Sequence, residues 1–199
     1  MKLGFAIIRI IVAMVGIAAI IATTVDTASR STINPFNFFG YFTIQSNILF
    51  IVVCLIAAVA GRRQSRGLAL ARASATTYIV TVGIVYNTLL AGLEGGISLE
   101  WANTVLHVAL PIYAAIDWVF FGDRTAVPWK RFWIVLIYPL VWLIVVLIRG
   151  ATDGWVPYPF LNPNLGYGIV ALYGVGVAVA IGIVGTAVWA ISRVRILKP

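Results

Sequence analysis

The chain is poor in the residues from which most active centres are built. It holds one cysteine, Cys54, one histidine, His107, and only six acidic residues. A single cysteine excludes an intrachain disulfide. Too few Cys and His ligands remain for a zinc site or a bis-histidine haem within one chain. Charged residues make up 10% of the chain, far less than the surface of a soluble domain needs. No G-x-S-x-G elbow occurs, which excludes an α/β-hydrolase. Lys2, Lys130 and Lys198 all lie outside the apolar runs, so a retinal Schiff base has no attachment point. No cofactor is expected.

Apolar residues are abundant, at 62% of 199. A hydrocarbon core of about 30 Å takes roughly 20 apolar helical residues to cross. Runs of that kind lie near 5–23, 39–60, 73–92, 101–121, 132–148 and 166–192. The expectation is an all-α, polytopic bundle of six transmembrane helices forming one domain over 1–199. The first run resembles a signal peptide in length, but no convincing small-residue cleavage site follows it, and it is read as a retained span.

The net charge of +8 does not point to nucleic acid, because the basic residues sit in short loops rather than in a continuous patch. Their placement carries topology instead. Lys2, Arg62, Arg63, Arg66, Arg72, Arg124, Lys130, Arg131, Arg193, Arg195 and Lys198 fall on one side; Arg30 and Arg149 fall on the other. Eleven against two is a positive-inside pattern that puts both termini in the cytoplasm. Asp26, Glu94, Gly95, Gly96, Glu100 and Asp153 then belong to outer loops. Arg9, near the inner end of the first span, is expected to snorkel. In the last span Gly174, Ala178 and Gly182 recur every four residues. That stripe allows close packing, against the chain itself or against a second copy.

Polar residues in the spans share a depth. With alternating span direction and a 1.5 Å rise per residue, Thr43, Asn87 and His107 all fall roughly 5–10 Å below the outer boundary. Thr43 with Asn47, and Asn103 with His107, are four apart and so share a helix face. Pro111 lacks the N–H that would bond the carbonyl of His107 and is expected to kink the helix there. An imidazole within hydrogen-bond reach can activate a hydroxyl as a nucleophile. Asn47, Asn87, Asn103 or Tyr86 would then serve an oxyanion or orient the ring. A threonine or a lone histidine in a membrane helix is also an ordinary interhelical tie, and that reading stays open. Asp117 lies ten residues after His107, roughly 15 Å along the helix, too far to orient the imidazole. It reads either as a proton-relay acid or as a helix-end carboxylate near the inner interface.

Several segments carry a resemblance: Phe39-Gly40-Tyr41-Phe42-Thr43-Ile44-Gln45-Ser46-Asn47-Ile48-Leu49, Val85-Tyr86-Asn87, Asn103-Thr104-Val105-Leu106-His107 with Pro111, Asp117-Trp118, and Trp155-Val156-Pro157-Tyr158-Pro159-Phe160-Leu161. Together they resemble bacterial six-helix membrane proteins related to the androgen-induced / androgen-dependent TFPI-regulating protein family. Eukaryotic members of that family are transmembrane threonine hydrolases of fatty acid esters of hydroxy fatty acids. The resemblance implies Thr43 as nucleophile, His107 as base, a membrane lipid or other amphiphilic ester as substrate, and the bacterial cytoplasmic membrane as location. The rival expectation is a non-catalytic membrane protein, either a small-solute transporter or a scaffold.

Overall fold

The computed structural model describes residues 2–60, 64–92, 99–194 and 196–197. Arg62, Arg63, Glu94, Gly95, Gly96, Arg195 and Lys198 lie outside the described residues. Six helices are long and apolar enough to cross a membrane: α1 (Lys2–Arg30), α2 (Phe42–Ala60), α3 (Arg66–Leu90), α4 (Glu100–Phe120), α5 (Ile134–Thr152) and α6 (Tyr167–Ile191). The described residues are all-α apart from one backbone bridge between Phe121 and Leu197.

Two boundaries differ from the sequence expectation by seven residues, each with a local feature at that end. α1 runs past Thr23 because Thr23, Thr24 and Thr27 each donate to the carbonyl four residues back. Those hydroxyls are satisfied inside the helix, and an Asp26–Arg30 ion pair spans the last turn. α3 begins seven residues before Ala73. Ser65 caps it by accepting from the Leu68 N–H at 3.1 Å, and its first two turns carry a buried arginine.

That arginine, Arg72, belongs to a cluster at one end of the bundle. Arg9 Nε donates to Asp117 at 2.7 Å, and its two terminal nitrogens hold Asp123 at 2.5 and 3.0 Å. Arg72 donates to Asp117 at 2.7 Å, to Asp123 at 3.0 Å and to Gln64 at 2.5 Å. Arg9 does not snorkel: it is 1% exposed because two carboxylates meet it inside the bundle. Asp117 is likewise buried rather than facing the interface. Two positive and two negative charges cancel there, tying α1, α3, α4 and the α4–α5 loop together. Buried charges persist only when paired and hydrogen-bonded in this way.

This cluster and the Phe121–Leu197 bridge bring the start of α1 and Leu197 to one end of the bundle. α3 is the central helix, packed on α2, α4 and α6. α5 is peripheral and buries little beyond Val135 and Val146. The α5–α6 segment folds back over the opposite end, burying Tyr158 and Leu161. It is fixed by Arg149, which stacks on Trp155 at 4.2 Å and donates to Asn37 at 2.7 Å.

Candidate active site

The end of the bundle opposite the ion cluster carries Thr43, Asn47, Tyr86, Asn87, Asn103 and His107. Thr43 and Asn47 stand in the first turns of α2, Tyr86 and Asn87 in the last turn of α3, and Asn103 and His107 in the first turns of α4.

Two π-helical turns face one another here. One covers Tyr86–Leu90 in α3 and the other Val105–Ala109 in α4. The second sits just before Pro111, which cannot donate to the His107 carbonyl. α4 widens there by a π turn closed by the Leu110 N–H on the Val105 carbonyl, and the Asn87 side chain donates to the His107 carbonyl at 3.3 Å. The approach depends on Gly83, where a Cβ would fall 2.7 Å from Pro111 Cβ. Single π turns of this kind recur at functional sites.

Around His107 the contacts are specific. Its Nδ1 lies 3.1 Å from the Asn103 carbonyl oxygen. That oxygen can only accept, so Nδ1 carries the hydrogen, and in the neutral ring Nε2 keeps the lone pair. A backbone carbonyl thus does the orienting that a carboxylate does elsewhere. The Tyr86 ring stacks on the imidazole at 3.9 Å, and Asn103 Nδ2 donates to the Tyr86 hydroxyl at 2.6 Å.

Thr43 has other neighbours. Its Oγ1 lies 3.3 Å from the Tyr158 hydroxyl, which also accepts from the Thr43 backbone N–H at 3.2 Å. That N–H is in the first turn of α2, where no intrahelical acceptor exists. Asn47 Nδ2 donates to the Thr43 carbonyl at 2.8 Å and to the Leu106 carbonyl at 3.2 Å, joining α2 to α4.

Thr43 also lines a cavity of about 270 Å³ between α2, α3, α5 and α6. Its wall is almost wholly apolar, from Phe42, Val82, Tyr86, Trp142, Phe160 and Ile181 among others. Gly174 and Ala178 line it too, so their small size makes room rather than a tight helix contact, and Gly182 has open space beside it. Leu136, Leu140 and Ala178 are exposed and lining at once, so the cavity opens sideways between α5 and α6.

The predicted residues therefore form two groups. Tyr86, Asn87, Asn103 and His107 are knitted along the α3–α4 seam, while Thr43 pairs with Tyr158 at the cavity. Among the described residues no hydrogen bond joins Thr43 directly to His107. Tyr86 is the residue common to both groups, stacked on the imidazole and lining the cavity. Asn47 and Asn87 each spend their amide N–H groups on two carbonyls, which makes them helix ties in this state. Tyr158 is the site residue that sequence reasoning missed. Its signal was the aromatic, Pro-rich segment of the fifth loop, but nothing in that segment points to a partner 115 residues away. No protein-family model, curated protein or solved structure matches this chain.

Proposed function

We propose that this protein is an intramembrane hydrolase of lipid (fatty-acid) esters, with Thr43 as nucleophile and His107 as general base. The observation that carries the reading is the hydroxyl of Thr43 on the wall of an apolar, laterally open cavity. At roughly 30 Å³ per water-sized group the cavity has room for about nine such groups, which suits an acyl chain arriving from lipid. The acyl chain lies in the cavity with its ester at Thr43. Binding displaces the Tyr86 ring and brings the imidazole to the hydroxyl, a tightening that resting enzymes commonly leave to the substrate complex. His107 Nε2 takes the proton of Thr43 as Oγ1 bonds the carbonyl carbon. It then protonates the leaving alkoxide, and water attacks the acyl-threonine with the same base. The charge asymmetry of the loops supports cytoplasmic chain ends. The site then lies in the outer leaflet of the cytoplasmic membrane, and the resemblance points to a bacterial one.

Hydrolysis of 4-nitrophenyl octanoate by the purified protein in nanodiscs tests this. Turnover by the natural protein and its loss in both Thr43→Ala and His107→Ala are expected. A second reading, a non-catalytic protein that binds an acyl chain or small solute, is favoured by the separate hydrogen-bond partners of Thr43 and His107. Probe binding without turnover selects it.

A further inference from the structure

Tyr158 is the one side chain hydrogen-bonded to the hydroxyl of Thr43 among the described residues, and nothing above gives it a chemical role. Its ring is fixed: it stacks on Phe160 at 5.3 Å and 9°, meets Tyr41 edge-on at 5.8 Å, and tilts against Trp142 at 6.0 Å. This packing leaves the ring 8% exposed, and the residue lines the same cavity as Thr43. Of the asparagines nominated for the oxyanion, Asn47 and Asn87 already donate to two carbonyls each, and Asn103 donates to the Tyr86 hydroxyl. Asn47 is fully buried, and turning its amide to a third oxygen would strand both of its carbonyls. Tyr158 already touches the nucleophile: its hydroxyl lies 3.3 Å from Thr43 Oγ1 and accepts from the Thr43 N–H at 3.2 Å.

We infer that Tyr158 is a further catalytic residue, holding the Thr43 hydroxyl at rest and donating to the carbonyl oxygen of the ester during attack. The inference rests on the hydrolase reading. As the Oγ1–carbon bond forms, the π pair of the carbonyl moves onto its oxygen and the Thr43 proton goes to His107. The Tyr158 O–H turns from Oγ1 to that oxygen and keeps its own proton throughout. When the carbonyl re-forms, the alkoxide leaves with the proton held by His107. A donor preset in an apolar site, with little reorganisation at the moment of reaction, suits charge that develops only in the transition state.

Tyr158→Phe keeps the ring packing and removes the hydroxyl. With 4-nitrophenyl octanoate in nanodiscs, kcat is expected to fall by roughly 10²–10³-fold, the range seen when one oxyanion donor is removed, with KM within about twofold because the loss is confined to the transition state. A natural kcat in this variant overturns the inference and leaves the hydrolase reading standing. Absence of turnover in the natural protein, beside an active control hydrolase, overturns both. A structure of the natural protein after reaction with an alkyl fluorophosphonate is independent of how the variant folds. The Tyr158 hydroxyl is expected within hydrogen-bond distance of the phosphoryl oxygen on Thr43. A phosphoryl oxygen bonded to other donors with Tyr158 turned away contradicts the role.

Discussion

The side-chain amide of Asn87 donates to the carbonyl oxygen of His107 at 3.3 Å, and this is the carbonyl that Pro111 leaves without its ordinary helical donor. A proline in α4 is answered by an asparagine in α3. Without Asn87 that oxygen loses this donor in an apolar setting. Asn87→Ala is expected to lower stability by about 1–2 kcal/mol, read from thermal unfolding in detergent. A change near zero would show that another donor replaces the amide.

Gly83 permits the same approach. Gly83→Ala places a Cβ 2.7 Å from Pro111, and overpacking of this kind costs about 1–3 kcal/mol. Gly182→Ala, with nothing within 4 Å, is the control. It should be neutral or gain slightly, since Ala exceeds Gly in helix propensity by up to about 1 kcal/mol. Melting temperatures of the two variants in one detergent compare them, and equal melting temperatures would contradict the packing at Gly83.

The ion cluster makes a larger prediction. Arg9→Leu leaves Asp117 and Asp123 short of a partner, and breaking a buried pair from one side costs about 3–5 kcal/mol. The cluster also sets an acid limit. Burial pushes the Asp123 carboxyl up, but its hydrogen bond to Arg9 and the charges of Arg72 and Arg9 outweigh this and hold it below its ordinary 3.8. A folded value below the unfolded one contributes stability that is complete above the unfolded value and is lost as pH falls through the folded one. Melting temperature should therefore drop below about pH 4 in the natural protein, and more shallowly in Asp123→Asn. Parallel acid profiles would remove Asp123 from the account.

Filling the cavity separates binding from folding. Ala178→Leu occupies the lateral opening between α5 and α6. It should keep the natural melting temperature to within a few degrees while raising the KM for long-chain esters by roughly tenfold, the effect of about 1.4 kcal/mol of lost apolar contact. An unchanged KM with these substrates would move the acyl site elsewhere.

What the sequence made legible follows from the solvent. A helix in lipid must be apolar along its length, so run lengths count the spans, and alternating direction sets the level of each polar residue. Thr43, Asn87 and His107 do share one end of the bundle for that reason. Side-chain pairing across the fold was not legible. Arg9 reads as a snorkelling residue because its carboxylates lie 108 and 114 positions away. Gly174 and Ala178 mark a face of α6, but spacing cannot say whether a helix or a void lies opposite. Pro111 announces a disturbance in α4, yet the matching π turn in α3 has no proline to signal it. Thr43 and His107 match in depth, and depth says nothing about rotation about the helix axis. That rotation gives Thr43 to Tyr158 and His107 to Tyr86 and Asn103.

The central claim is that Thr43 is a nucleophile. Its most direct test is peptide mapping by mass spectrometry after the natural protein, in nanodiscs, is treated with a long-chain alkyl fluorophosphonate. One adduct on Thr43 is expected, lost in Thr43→Ala and strongly slowed in His107→Ala. An adduct on another residue, or none at all beside a labelled control hydrolase, would contradict it.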